Sequence, residues 1–261
     1  MCDEDCNVGL LCGLLRPRET PKDKPSQGGD VISNEERAIT QYDLGTALQE
    51  QGRIQEAIRC YREAIKLNPD LSDAHYNLGS AVQAQGNDDE AMGCYRKTLE
   101  LNPNHVLANY NLGYIQHEHG NLEAALKYFE KAAELEPNDF DTHINLGNVL
   151  RESGNVEAAI RSYMRAIRVD STCVMAYYNL GNALHDCGRL DEAIEYFQRA
   201  VELDNTYVDA HFNLGIAYQE YNDFKNALKC YDTCASLDPT FVEAIEASQA
   251  LRSRGTKSSR N

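Results

Sequence analysis

The apolar and small positions of this chain return on one fixed schedule. From residue 38 to residue 241 they recur every 34 residues, a period that fits a helix, a turn and a second helix. Six units follow: 38–71, 72–105, 106–139, 140–173, 174–207 and 208–241. Counting each from its own first residue, position 7 is always Leu, position 8 always Gly and position 20 always Ala. Position 24 is always aromatic: Tyr61, Tyr95, Phe129, Tyr163, Phe197 and Tyr231. Position 15 is Gly in five units and Asn222 in the sixth. Gly and Asn best adopt the left-handed backbone that closes a helix, so a first helix, A, is predicted to end there. Helix B then runs to about position 28, before the Pro that four units carry at position 32 (Pro69, Pro103, Pro137 and Pro239). The Leu and the aromatic are expected to face each other across the pair, with Gly and Ala letting the axes approach. A mid-helix Gly costs about 1 kcal/mol in propensity. Six at one address imply a steric need.

The ends read differently. Order is predicted to begin near Ser33, which has capping-box spacing to Glu36. Residues 1–33, punctuated by Pro17, Pro21 and Pro25, read as a disordered tail. Residues 242–253 predict one more helix, a cap whose counterparts of Leu-Gly are Ser248 and Gln249, giving an expected polar outer face. Ser171 and Asn205 stand where other units have Pro, which predicts looser turns there. Residues 254–261 read as a basic disordered tail.

Charge narrows the partners. The chain carries a formal net charge of −16, and residues 34–251 hold 17 Lys/Arg against 35 Asp/Glu. An acidic body repels phosphates, so nucleic acid is not an expected ligand; neutral or basic protein segments are. The short basic run of Arg252, Arg254, Lys257 and Arg260 is expected to fold back on the array as an internal competitor. Nine cysteines at irregular spacing, and no glycosylation sequon, favour a reducing compartment. No apolar run approaches a membrane span. The expected location is the cytoplasm, with the nucleus as an alternative. Cys2, Cys6 and Cys12 carry a weaker reading as S-acylation sites.

The Leu-Gly, Ala, aromatic and Pro addresses together resemble the tetratricopeptide repeat, matched in register over six copies. The phrasing around Asn-Leu-Gly is most similar to the superhelical arrays of O-linked N-acetylglucosamine transferases, without anything resembling their catalytic domain. One departure is position 4, where the family's large aromatic gives way to Gln41, His75, Asn109, His143, Tyr177 and His211. The resemblance implies an all-α, right-handed superhelical solenoid of six repeats with a capping helix. It also implies a concave face lined by helix A through positions 2, 5, 6, 9, 12 and 13.

On that face position 6 is Asp43 and then Asn77, Asn111, Asn145, Asn179 and Asn213. Asn offers a donor and an acceptor, so a row of them suits the backbone of an extended peptide. Asn148 and Asn182 at position 9 thicken the row, and Tyr42, Tyr76, Tyr110 and Tyr178 at position 5 offer flat apolar surface beside it. These residues form the candidate peptide-binding groove. The Asn row and the aromatics also read as fold consensus, and the acids at position 13 as a solvated edge. No Lys or Arg stands at positions 2, 5, 6 or 9, so a chaperone carboxylate clamp is not expected. No catalytic residue, cofactor or metal site is expected. His75, His143 and His211 lie two units apart and are assigned to the helix interface, and Cys230 and Cys234 read as buried thiols. The function expected is a binding scaffold or adaptor. The alternatives are a regulatory or targeting subunit acting in trans with an enzyme such as a glycosyltransferase, and a structural subunit of a larger assembly.

Overall fold

The computed structural model describes residues 33–258, with side chains to residue 253. The tail at residues 1–32, with its cysteines, lies outside the described residues, as do residues 259–261. Among the described residues there are thirteen helices and no strand. Helix A of the successive units is α1 (Asn34–Glu50), α3 (Ser72–Gln83), α5 (Val106–Glu118), α7 (Phe140–Glu152), α9 (Val174–Asp186) and α11 (Val208–Glu220). Helix B is α2 (Ile54–Leu67), α4 (Asp88–Leu101), α6 (Leu122–Leu135), α8 (Val156–Val169), α10 (Leu190–Leu203) and α12 (Phe224–Leu237), and α13 (Val242–Ser258) follows. Each helix packs on its neighbours in sequence, and α7 also touches α5 and α9. This is the nearest-neighbour packing of a repeat array.

Helix A closes where expected. The glycines at position 15 have φ of 72–82° and Asn222 has φ of 65°. The next backbone N–H returns to a carbonyl five residues back, for example Arg53 to Leu48 at 2.9 Å and Asn155 to Leu150 at 2.8 Å, satisfying carbonyls the helix end would orphan. Helix B runs to position 30, two residues past the expected end. Its apolar last residue continues the helix, and the N–H at position 31 still bonds to the carbonyl at position 27, as Asn68 does to Ala64 at 2.8 Å. Proline at position 32 removes a donor only after that.

The ring at position 24 does not face Leu. It lies on the position-8 glycine of its own unit. A Cβ added at Gly45, Gly79, Gly113, Gly181 or Gly215 would sit 2.6–3.0 Å from a ring carbon, and one at Gly147 closer still to Tyr163. The rings are 0–2% exposed, each burial contributing about 2–3 kcal/mol. The position-7 leucines point instead toward the preceding unit. Leu44, with no preceding unit among the described residues, is 47% exposed, whereas Leu78, Leu112, Leu146, Leu180 and Leu214 are at most 7% exposed. Two further small addresses close the core: position 3 (Ala74, Ala108, Thr142, Ala176 and Ala210) and position 27 (Ala64, Thr98, Ala132, Ala166, Ala200 and Cys234), all 0% exposed.

The turns lacking Pro are braced rather than loosened. Asp170 accepts from the Thr172 backbone N–H at 2.8 Å and its hydroxyl at 2.7 Å, and Asp204 does the same with Thr206. A second brace comes from position 4. His75, His143 and His211 each donate from Nε2 to a carbonyl six residues back, on Pro69, Pro137 and Asn205, at 2.8–3.1 Å. The histidines thus serve the turn between units, and His143 is buried there.

The capping helix departs from expectation twice. It runs to Ser258, so residues 254–258 continue it instead of forming a separate tail. Ser248 occupies the inward address of the repeat leucine. It is buried and donates to Asp232 Oδ1 at 2.6 Å, so it contributes nothing to a polar outer face. Arg252, the first basic residue of the C-terminal run, is paired with the same Asp232 at 2.7 Å.

Gly93 lies exposed inside α4 with nothing near its missing Cβ, so Gly93→Ala stabilises by about 0.5–1 kcal/mol. Gly147→Ala meets a ring that cannot swing away and destabilises by about 1–3 kcal/mol; urea unfolding followed by circular dichroism reads both signs. The Thr172 hydroxyl and N–H hold Asp170 below the ordinary carboxylate value. Its stabilisation is therefore complete above the unfolded pKa and lost as pH falls through the folded one. Thr172→Val removes the hydroxyl's share, and an NMR titration should find Asp170 moved up toward its ordinary value.

Candidate functional site

Positions 2, 5, 6, 9, 12 and 13 fall on one stripe of helix A because residues three and four apart share a helix face. Six such stripes follow one another along the array. The structure brings the candidate residues together, but mostly onto each other.

The asparagines act first as bridges between units. Asn77 Nδ2 donates to Tyr42 Oη at 3.3 Å, Asn145 to Tyr110 at 2.9 Å and Asn213 to Tyr178 at 3.1 Å. Asn111 donates to Tyr95 Oη at 3.1 Å, while Asn179 and Asn213 donate to the position-9 oxygens of Asn148 and Asn182 at 3.2 and 2.8 Å. Asn145 also donates to the Asp141 carbonyl at 3.1 Å; a carbonyl can only accept, so Nδ2 is the atom on that side. Asn179 is buried. Asn145 and Asn213 thus commit both N–H groups of the side-chain amide, and Asn77, Asn111 and Asn179 one each, mostly across the boundary between units. Asp43, in the first unit, is exposed.

The position-5 rings are half-buried. Each packs on the position-24 ring of its own unit, with centroids 5.7–6.2 Å apart for Tyr42, Tyr76, Tyr110, Tyr178 and Phe212. Three also meet the residue at position 34: Tyr76 on His105, Tyr178 on Tyr207 and Phe212 on Phe241, at 4.5–5.0 Å. The remainder of each ring is only partly covered. Burial pushes the Tyr76 phenol up to about 12, so it stays a neutral hydroxyl at physiological pH.

Position 13 is not merely a solvated edge. Glu152, Asp186 and Glu220 pair with position 12 of the preceding unit: His117 at 2.9 Å, Arg151 at 3.2 Å and His185 at 3.0 Å. The spacing of 35 residues in each pair, one period plus one, was the available signal. In the other units position 12 is Gln, and Gln49, Gln83 and Gln219 accept from the position-24 tyrosines. Exposed pairs of this kind contribute little individually, about 0–1 kcal/mol, but they tie one A helix to the next.

Cys230 and Cys234 are buried, and burial raises their thiols to about 11 and about 12. At neutral pH they are protonated and so poor nucleophiles or metal ligands. No group of His, Cys, Asp or Glu among the described residues could hold a metal ion, and no described helix is long and apolar enough to cross a membrane.

Sequence comparison matches family models described as TPR repeat to residues 45–86, 147–186 and 181–221. Models described as tetratricopeptide repeat match residues 72–105 and 208–241, and residues 94–127 and 128–161. No curated protein sequence matches the chain. Among solved structures, YrrB, described as a TPR protein with an unusual peptide-binding site, is 25% identical with a TM-score of 0.66, over 72% of this chain and 97% of YrrB. MamA is 26% identical with a TM-score of 0.61, over 67% of this chain and 95% of MamA. PilF of Pseudomonas aeruginosa, 18% identical with a TM-score of 0.66 over 85% of this chain and 99% of PilF, shares the fold.

The double use of Asn148 Oδ1, which accepts from both Tyr163 Oη (2.8 Å) and Asn179 Nδ2 (3.2 Å), gives a prediction. Asn148→Ala leaves two buried donors unserved and costs about 2–4 kcal/mol. Asn182→Ala strips only one of the two acceptors of Asn213 and costs about 1 kcal/mol. Variant midpoints in urea equal to that of the native chain would show that these bridges contribute no net stability.

Proposed function

Because the chain belongs to the tetratricopeptide repeat family, we propose that it is a non-catalytic scaffold. In this reading it holds an extended peptide segment of a partner protein along its A helices. The array winds as a right-handed superhelix and the A-helix stripe lines its concave groove. The observation that carries the reading is the continuity of that stripe. Asn77, Asn111, Asn145, Asn179 and Asn213 recur at one address, and their side chains make hydrogen bonds by donation from Nδ2. Their Oδ1 atoms suit the backbone N–H groups of an extended segment laid across them, which gives affinity without choosing side chains. The rims of Tyr42, Tyr76, Tyr110 and Tyr178 supply apolar contact. A peptide-binding site is also described for YrrB. The acidic body favours a neutral or basic segment, and disfavours nucleic acid and the acidic C-termini that a carboxylate clamp takes.

Selection of displayed random peptides on the full chain, followed by fluorescence anisotropy, tests this. Asn77→Ala and Asn145→Ala each weaken the selected binders about fivefold, the worth of one hydrogen bond. Asn145→Asp, which keeps the acceptor, retains them, and Arg165→Ala on the exposed surface of α8 leaves them unchanged. Binders that respond to Arg165 and ignore the asparagines would move the site to the B helices.

A further inference from the structure

Position 2 alternates without exception along the array: Ile39, Asp73, Leu107, Asp141, Met175 and Asp209. Ile39 and Met175 are large apolar side chains left 38% and 37% exposed. The three aspartates each complete the same local arrangement. Tyr42, Asn77 and Asp73 form one station, Tyr110, Asn145 and Asp141 a second, and Tyr178, Asn213 and Asp209 a third. In each, the Asn of one repeat donates to the phenol of the repeat before it. The Asp lies one helical turn ahead of that Asn, on the same face. The phenols of Tyr42, Tyr110 and Tyr178 are raised by burial, and the neighbouring Asp73, Asp141 and Asp209 raise them further. The intervening repeats lack the acid: Leu107 precedes Asn111, which lies between the Tyr76 and Tyr95 phenols, and Met175 precedes Asn179, to which Ile144 has no hydroxyl to offer.

An acid in the first turn of a helix is favoured by the helix dipole. That explains a carboxylate at position 2, but not an exposed Ile or Met at the same address in alternate repeats. Nor are these carboxylates neutralised internally. Every ion pair among the described residues uses other acids, although three of the position-13 acids are paired.

We propose that the stripe reads its peptide in register, taking Lys or Arg side chains at Asp73, Asp141 and Asp209 and apolar side chains at Leu107 and Met175 between them. This rests on the groove reading above and adds the chemistry of the occupant. Neighbouring helices pack about 10 Å apart, and a peptide in the polyproline II conformation advances about 3.1 Å per residue and returns to the same face every third residue. One repeat therefore spans about three residues, and successive basic side chains fall about six residues apart with an apolar one midway.

The test uses two labelled synthetic peptides of one composition, the first with Lys at every sixth residue and Leu midway, the second with Lys at every fourth. Anisotropy with the full chain should give the first an affinity on the order of tenfold higher, as several weak exposed pairs in register provide. Asp73→Asn, Asp141→Asn and Asp209→Asn each weaken it about threefold and multiply when combined, since the stations are far apart. Circular dichroism confirms the fold of each variant. Met175→Asp should tighten binding of a third peptide in which Lys replaces the Leu between two lysines. Equal affinity for the first two peptides, or aspartate variants that bind like the native chain, overturns the register while leaving groove binding in place. If the displayed binders also ignore the asparagine variants, the groove reading falls as well.

Discussion

The contact on which the molecule depends is an aromatic ring seated on a bare glycine. Tyr61, Tyr95, Phe129, Tyr163, Phe197 and Tyr231 each occupy the space a Cβ would need on helix A of the same repeat. The contact sets how close the two helices stand. It also sets what emerges at the surface, because the tyrosine hydroxyls reach through the pair to the A-helix stripe. There they donate to Gln49, Gln83, Asn148 and Gln219. The candidate binding surface is thus positioned by the core directly beneath it.

Core and surface vary together. In the third and fifth repeats the ring is Phe, with no hydroxyl for position 12 to accept. Position 12 is then His117 or His185, and each reaches forward to an acid of the next repeat. Position 4 alternates in the complementary repeats, where His75, His143 and His211 brace the preceding turn. A two-repeat period therefore runs through packing, turns and surface alike, as growth by duplication of a two-repeat unit would leave it. The carboxylates of position 2 follow the same period.

The repeat, its helix boundaries near Gly52 and its successors, and the all-α class were legible because identical residues at one address carry a backbone or steric demand. The partner of each ring was not legible, since Leu and Gly are adjacent and a linear pattern does not say which side of helix A faces helix B. The exposed Leu44 beside five buried counterparts resolves it. The donor commitments of Asn145 and Asn213, and the pairing of Glu152 with His117, depend on neighbours 35 residues away, an offset that aligning equal addresses does not bring together. Ser248 departs from expectation on similar grounds: the repeat gives its address, but not that this side of the helix faces inward.

Hydrogen–deuterium exchange of the full chain, with and without a selected peptide, tests the central claim that the A-helix stripe is the binding surface. The account predicts added protection in α3, α5, α7, α9 and α11, at the turns where their stripes meet the peptide, with α4, α6, α8 and α10 unchanged. Protection confined to the B helices or to α13 would contradict it.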